Sequence, residues 1–175
     1  MRSHVLSPSL ASTLISAPAS ALISAVVSVL GAAGCGSGAT GPDADEALAC
    51  MTSGRGDTYA VGLEHKGVNT LYDFKLMSAM PAPPGRNLNV WVIQITWEAT
   101  GAPVTGASLT VTPFMPDHQH GPGAYTPQVM ELATPGQYQI SDINTWMPGY
   151  WEITVDAKTP DKVEDTVVYK FCIPA

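Results

Sequence analysis

Between Asn87 and Ala99 the chain alternates strictly: Trp91, Ile93, Ile95 and Trp97 fall on one side, with Val90, Val92, Gln94, Thr96 and Glu98 on the other. Successive side chains of an extended strand point to opposite faces, whereas a helix would spread these four large residues around its axis. This stretch is therefore a β-strand. As the clearest strand it is expected to be central, with its tryptophan face in the core.

Shorter runs repeat the pattern, each bounded by turn chemistry. Tyr59, Val61 and Leu63 alternate up to Gly67, and Tyr72, Phe74 and Leu76 alternate up to the breaker Pro81-Ala82-Pro83-Pro84-Gly85. After Gly101-Ala102-Pro103 come further strand candidates at 108–114, 127–132, 137–143, 150–157 and 166–173, separated in part by Thr134-Pro135-Gly136 and Met147-Pro148-Gly149. In the last, Val167, Tyr169, Phe171 and Ile173 share a face. Strong helix formers are thin past the first 35 residues, while Thr, Val, Tyr and Trp are plentiful. The expectation is an all-β domain over residues 50–175, an immunoglobulin-like β-sandwich of about 7–8 antiparallel strands.

The first 30 residues have a different character. Met1-Arg2-Ser3-His4 opens a stretch of Ser, Ala, Leu, Ile and Val with no acid as far as Leu30, and small residues Gly31-Ala32-Ala33-Gly34 precede Cys35. A basic start, an apolar segment and small residues have the composition of an export signal. The apolar core, Ala21 to Leu30, is short for a membrane span. A plain cleaved signal peptide and an uncleaved anchor both fit. Cys35 directly after Ala-Ala-Gly resembles a bacterial lipobox, with Ala32 where Leu is usual. That resemblance implies a lipoprotein signal peptide over 1–34, lipidation at Cys35 and a tether over 35–49. Gly36 in the second mature position implies outer-membrane sorting, with the domain in the periplasm or at the cell surface.

Cysteine and charge usage agree with export. With Cys35 assigned to lipid, Cys50 and Cys172 form an even pair near the two ends of the folded part, and in an oxidising compartment a bridge is expected. In the chain-entropy model such a long loop is worth about 4–5 kcal/mol. Two free thiols serving as copper ligands are the alternative. The 8 Lys and Arg residues stand against 15 Asp and Glu, a net charge of −7, and no basic run occurs. Nucleic acid is therefore not an expected partner, and membrane attachment rests on the lipid rather than on basic electrostatics.

The richest chemistry lies in Met115-Pro116-Asp117-His118-Gln119-His120-Gly121, answered by Trp146-Met147-Pro148-Gly149. Pro113, Pro116 and Pro122 prevent a regular ladder, so the first segment is expected as a loop leaving a strand end. His-X-His in extended backbone sends both rings to one side. Imidazole suits copper and zinc, and thioether selects Cu(I), so Met115, His118, His120 and Met147 form a charge-neutral candidate copper set. Each methionine reads equally as a plug closing the end of the sandwich, since Met fills irregular gaps. The histidines read also as exposed loop residues or a hydrogen-bonded pair. His65 is expected as a boundary residue, and Arg55-Gly56-Asp57 as a chance match to an adhesion tripeptide. No nucleophile stands beside a base, and no phosphate-cradling or zinc-protease motif occurs, so the chain is not expected to be an enzyme.

The runs Met115 to Gly121, Thr134-Pro135-Gly136-Gln137-Tyr138 and Trp146 to Ile153 together resemble the YtkA-like domain family, related to FixH-type proteins of copper-oxidase assembly. The likeness covers roughly Leu88 to Ala157, with Gln119 where the family often has Gly. It implies a small exported β-sandwich, copper handling, Met115, His118, His120 and Met147 as the carried-over motif positions, and a copper acceptor as partner. The competing expectation is a metal-free module that binds another envelope protein.

Overall fold

The structure, a computed structural model, describes residues 41–175. Cys35, the expected leader and the first part of the expected tether lie outside them. Eight strands form two antiparallel sheets: β1 (Leu63–Lys66), β2 (Tyr72–Met80), β3 (Asn87–Trp97), β6 (Gln137–Thr145) and β5 (Gln128–Glu131) lie side by side in that order, facing β4 (Ser108–Phe114), β7 (Gly149–Lys158) and β8 (Glu164–Ile173). The orders β2-β3-β6-β5 and β4-β7-β8 correspond to the ABED and CFG sheets of an immunoglobulin constant-type sandwich, with β1 added at one edge. The expected fold class holds.

Periodicity explains the core. Trp91, Ile93 and Ile95 of β3 are buried, as are Tyr169 and Phe171 of β8, and the rings of Trp91 and Phe171 meet edge-on at 5.5 Å between the sheets. β3 sits between β2 and β6, central in its sheet as expected. The sheets are also joined by Asp165, whose wholly buried carboxylate accepts hydrogen bonds from the backbone N–H groups of Asn69 and Leu71 at 2.8 Å, Thr166 at 2.9 Å and Tyr72 at 3.1 Å. Burial pushes this carboxyl up, but the four N–H donors outweigh it and hold it below the ordinary carboxylate value. A side chain at Gly67 would overlap that carboxylate, so the turn before β2 needs glycine there.

Two expectations are corrected. The run Tyr59–Val61–Leu63 is not a strand: a turn closed by the Leu63 N–H on Ala60 O precedes β1, which starts only at Leu63. Tyr59 still packs inward, its ring 6.5 Å from that of Phe171, which accounts for the apolar spacing without a ladder. The second correction is α1 (Pro42–Ser53), which occupies much of the stretch assigned to the tether. Pro42 stands in the first turn, where its missing N–H costs nothing; Ala44, Ala47, Leu48 and Ala49 favour helix; and Gly54 ends it at φ 68°. Ala47 and Cys50 face β7 and β8, and Cys50 is disulfide-bonded to Cys172 with Cα atoms 5.6 Å apart. The expected bridge is present, and it pins a helix rather than a strand to the end of β8.

Candidate functional site

β4 delivers the chain to the end of the sandwich. It tolerates Pro113 because it is an edge strand, where a missing N–H leaves no partner unpaired. Immediately beyond, the Met115 N–H donates to His120 O at 2.9 Å and the His118 N–H to Met115 O at 3.3 Å, closing a tight loop. Gln119 takes the left-handed conformation at φ 56° that this loop demands. Glycine would adopt it freely, whereas glutamine pays about 1–2 kcal/mol. The expected loop at a strand end is thus found, and its strained position is the one where glycine would be the natural occupant.

The β6–β7 turn meets this loop. Trp146 is 40% exposed and stacks on the His120 ring with centroids 4.9 Å apart, while the buried Trp151 presents its edge at 5.6 Å. Trp151 Nε1–H donates to Met147 O at 2.9 Å, fixing the turn from inside, and Asn144 Nδ2–H donates to Pro122 O at 2.9 Å, tying the far end of the loop to β6. Gly149 is required: its φ is 120°, and a Cβ there would lie 2.6 Å from Met115 Cε and 3.2 Å from Glu46 Oε1.

His120 and Met147 are brought into contact, with Nε2 and Sδ 3.3 Å apart. His120 Nδ1 lies 3.2 Å from Gly121 O, and the tautomer protonated at Nδ1, which donates to that carbonyl, turns the Nε2 lone pair to the sulfur. In that tautomer two Lewis bases face each other. His118 stands beside them, its ring 5.8 Å from that of His120, but its Nε2 contacts Glu46 Oε2 of α1 at 2.5 Å. Met115 is different again. Its side chain is fully buried in the hydrophobic core, with its methyl end against Gly149, and serves as the plug at the end of the sandwich.

Around this corner the charges are paired. Arg55 grips Asp117 with two hydrogen bonds of 2.6 and 2.9 Å and lies 4.1 Å over the Tyr150 ring. The guanidinium hydrogen bond holds the Asp117 carboxyl below its ordinary value. Gly56 packs against the backbone and sulfur of Cys172, and Asp57 exchanges hydrogen bonds with the Lys170 backbone at 2.6 and 2.8 Å. The tripeptide 55–57 is thus a clip between loop, disulfide and β8. His65 lies on β1, 3.2 Å from Asp57 Oδ2 and edge-on to Tyr169, in the boundary role expected of it.

Residues 67–156 match the YtkA-like family. The chain belongs to that family. The YtkA-like region runs from the turn before β2 into β7 and contains both halves of the Met/His corner, whereas α1, Arg55, all of β8 and both bridged cysteines lie outside it. Neither a curated protein nor a solved structure matches the chain. Among the described residues no group of three or more His, Cys, Asp or Glu side chains is placed to hold an ion. Among them, too, no helix is long and apolar enough to cross a membrane.

Sequence reasoning missed Glu46 and Arg55 as parts of this corner, and named Trp146 and Trp151 in its motif without giving them a role. Trp146 and Trp151 flank the Met-Pro-Gly turn at a spacing of five, a signal that was readable. Glu46 and Arg55 carry no local signal, since they reach the loop across 72 and 62 residues of chain.

Proposed function

We propose that this is a lipid-anchored YtkA-like protein of the cell envelope that binds copper at the Met/His corner and passes it to an acceptor protein. The observation that carries the reading is the 3.3 Å approach of His120 Nε2 to Met147 Sδ, on a ring whose Nδ1 lies 3.2 Å from Gly121 O. Bonds of about 2.0 Å to nitrogen and about 2.3 Å to sulfur place two ligands of a tetrahedral ion about 3.5 Å apart, so the pair fits a shared ion with little movement. A neutral imidazole and a thioether favour a soft cation such as Cu(I) over calcium or magnesium. The hydrogen bond from Nδ1 to Gly121 O fixes the ring as a ligating histidine is ordinarily fixed.

His118 is the nearest further donor. Two imidazoles bonded to one ion have centroids about 5–6.5 Å apart, a range that includes the 5.8 Å between these rings. Copper is cargo in this reading: few ligands and a rim containing Trp146 and His118 suit release to another protein. The test is a Cu(I) titration of the full chain against a competing chelator. The wild type should hold one ion, and His120→Ala with Met147→Ala should abolish it; equal affinity in both would sink the reading.

A second reading is favoured by a different observation. His118 is engaged by Glu46 and His120 is stacked on Trp146, so both rings have structural work without a metal. In that case the corner is a preformed surface for another envelope protein, with Trp146 as its exposed anchor, and the same titration returns no binding.

A further inference from the structure

Helix α1 lies outside the YtkA-like region, yet it and the residues just after it hold the Met/His loop at two points. Glu46 Oε2 meets His118 Nε2 at 2.5 Å, and Arg55 grips the neighbouring Asp117. Between these two catches sits Cys50, bridged to Cys172 at the end of β8. The helix is thus fastened to the sandwich by a covalent bond, and from that fixed point it reaches the loop with a carboxylate and a guanidinium.

The Glu46 contact removes a donor atom from the corner. A carboxylate only accepts, so His118 Nε2 carries the proton in this contact and has no lone pair for an ion. His118 nevertheless stands at a centroid distance compatible with sharing an ion with His120. The second oxygen of the same carboxylate, Glu46 Oε1, is buried without a hydrogen-bond partner. A carboxylate left half unsatisfied gains less from the contact than a fully solvated or fully bonded one, which makes the catch releasable.

We propose that α1 is a latch on the Met/His corner, with Glu46 as the catch, which keeps His118 out of the ion site until the helix yields. This rests on the copper reading above. Closed, the corner offers His120 and Met147; open, it offers His118 as a third ligand and binds the ion more tightly. Arg55 on Asp117 and the Cys50–Cys172 bridge limit how far the helix can lift, so the latch yields at its Glu46 end.

The test compares Cu(I) affinity of the full-length wild type, Glu46→Ala, Glu46→Gln and Glu46→Ala/His118→Ala under a competing chelator, with hydrogen exchange of the α1 amides measured before and after loading. Removing the part-buried Glu46 contact from competition should tighten binding about 3- to 5-fold in Glu46→Ala. Glu46→Gln, which can still accept from His118, should show a smaller gain, and the gain should vanish in the double variant. Loading the wild type should speed exchange in α1. If the wild type binds the ion through His120 and Met147 while Glu46→Ala binds no more tightly, the latch is refuted and the copper reading stands. A gain that persists without His118 also refutes it, and absence of binding in every variant removes both.

Discussion

Replacing Asp165 with alanine removes the tie between the two sheets, and its effect can be worked from the contacts. Four backbone N–H groups converge on this fully buried carboxylate, at 2.8 to 3.1 Å. A buried donor left unpaired costs about 1–3 kcal/mol, and water entering the space vacated by the carboxylate recovers part of the total, so the expected loss is about 3–5 kcal/mol. At about 3–4 °C per kcal/mol for a domain of this size, thermal unfolding should shift down by about 10–20 °C. Circular dichroism melts at pH 7 with the disulfide intact read this directly. Asp165→Asn keeps one acceptor but turns an NH2 group toward N–H donors, so it should fall nearly as far.

The pH dependence supplies an independent check. The Asp165 carboxyl is held below its ordinary value of 3.8, so the folded state binds its proton more weakly than the unfolded state does. Its contribution is therefore fully present above that ordinary value and is lost as pH falls through the lower folded value. The gap between wild type and Asp165→Ala should stay constant from about pH 7 to 5 and narrow below about pH 4. A drop of less than about 3 °C at neutral pH, or a gap that stays constant down to the acid end, would refute the account.

Gly149→Ala forces a side chain against Met115 Cε and Glu46 Oε1 at a φ of 120°, and should cost about 2–4 kcal/mol in denaturant unfolding while loosening the corner. Met115→Leu should cost less than about 1.5 kcal/mol and leave Cu(I) affinity unchanged, because the Met115 side chain is core; a lost ion would return Met115 to the ligand set. Cys50 and Cys172 are separated by 122 residues, so replacing both with alanine should lower stability by up to about 4–5 kcal/mol and raise hydrogen exchange first in α1.

Most of the strands were legible because their signal is local. Alternation in β3 and β8 names the buried residues outright, and Gly and Pro mark the ends. Where alternation misled, at Tyr59–Val61–Leu63, inward packing of Tyr59 beside a turn mimicked a strand. The helix was missed because an acidic, Ala-rich stretch directly after a Gly/Ser segment has the look of a linker. Its helicity shows in Pro42 and Gly54, but its anchoring comes from the packing of Ala47 and Cys50 on β7 and β8.

By itself, then, the sequence pointed to the sandwich, to a bridge between Cys50 and Cys172 and to a Met/His loop at a strand end. Each follows from short-range spacing, turn chemistry or a count. Only the tertiary structure decided how the four candidate ligands divide: Met115 in the core, His120 against Met147, and His118 held by Glu46. The physical reason is that a thioether packs in a core as well as it binds an ion, and an imidazole pairs with a carboxylate as well as with a metal. Which of these each side chain does is set by neighbours that arrive from distant parts of the chain, and those neighbours exist only once the two sheets and α1 have closed around them.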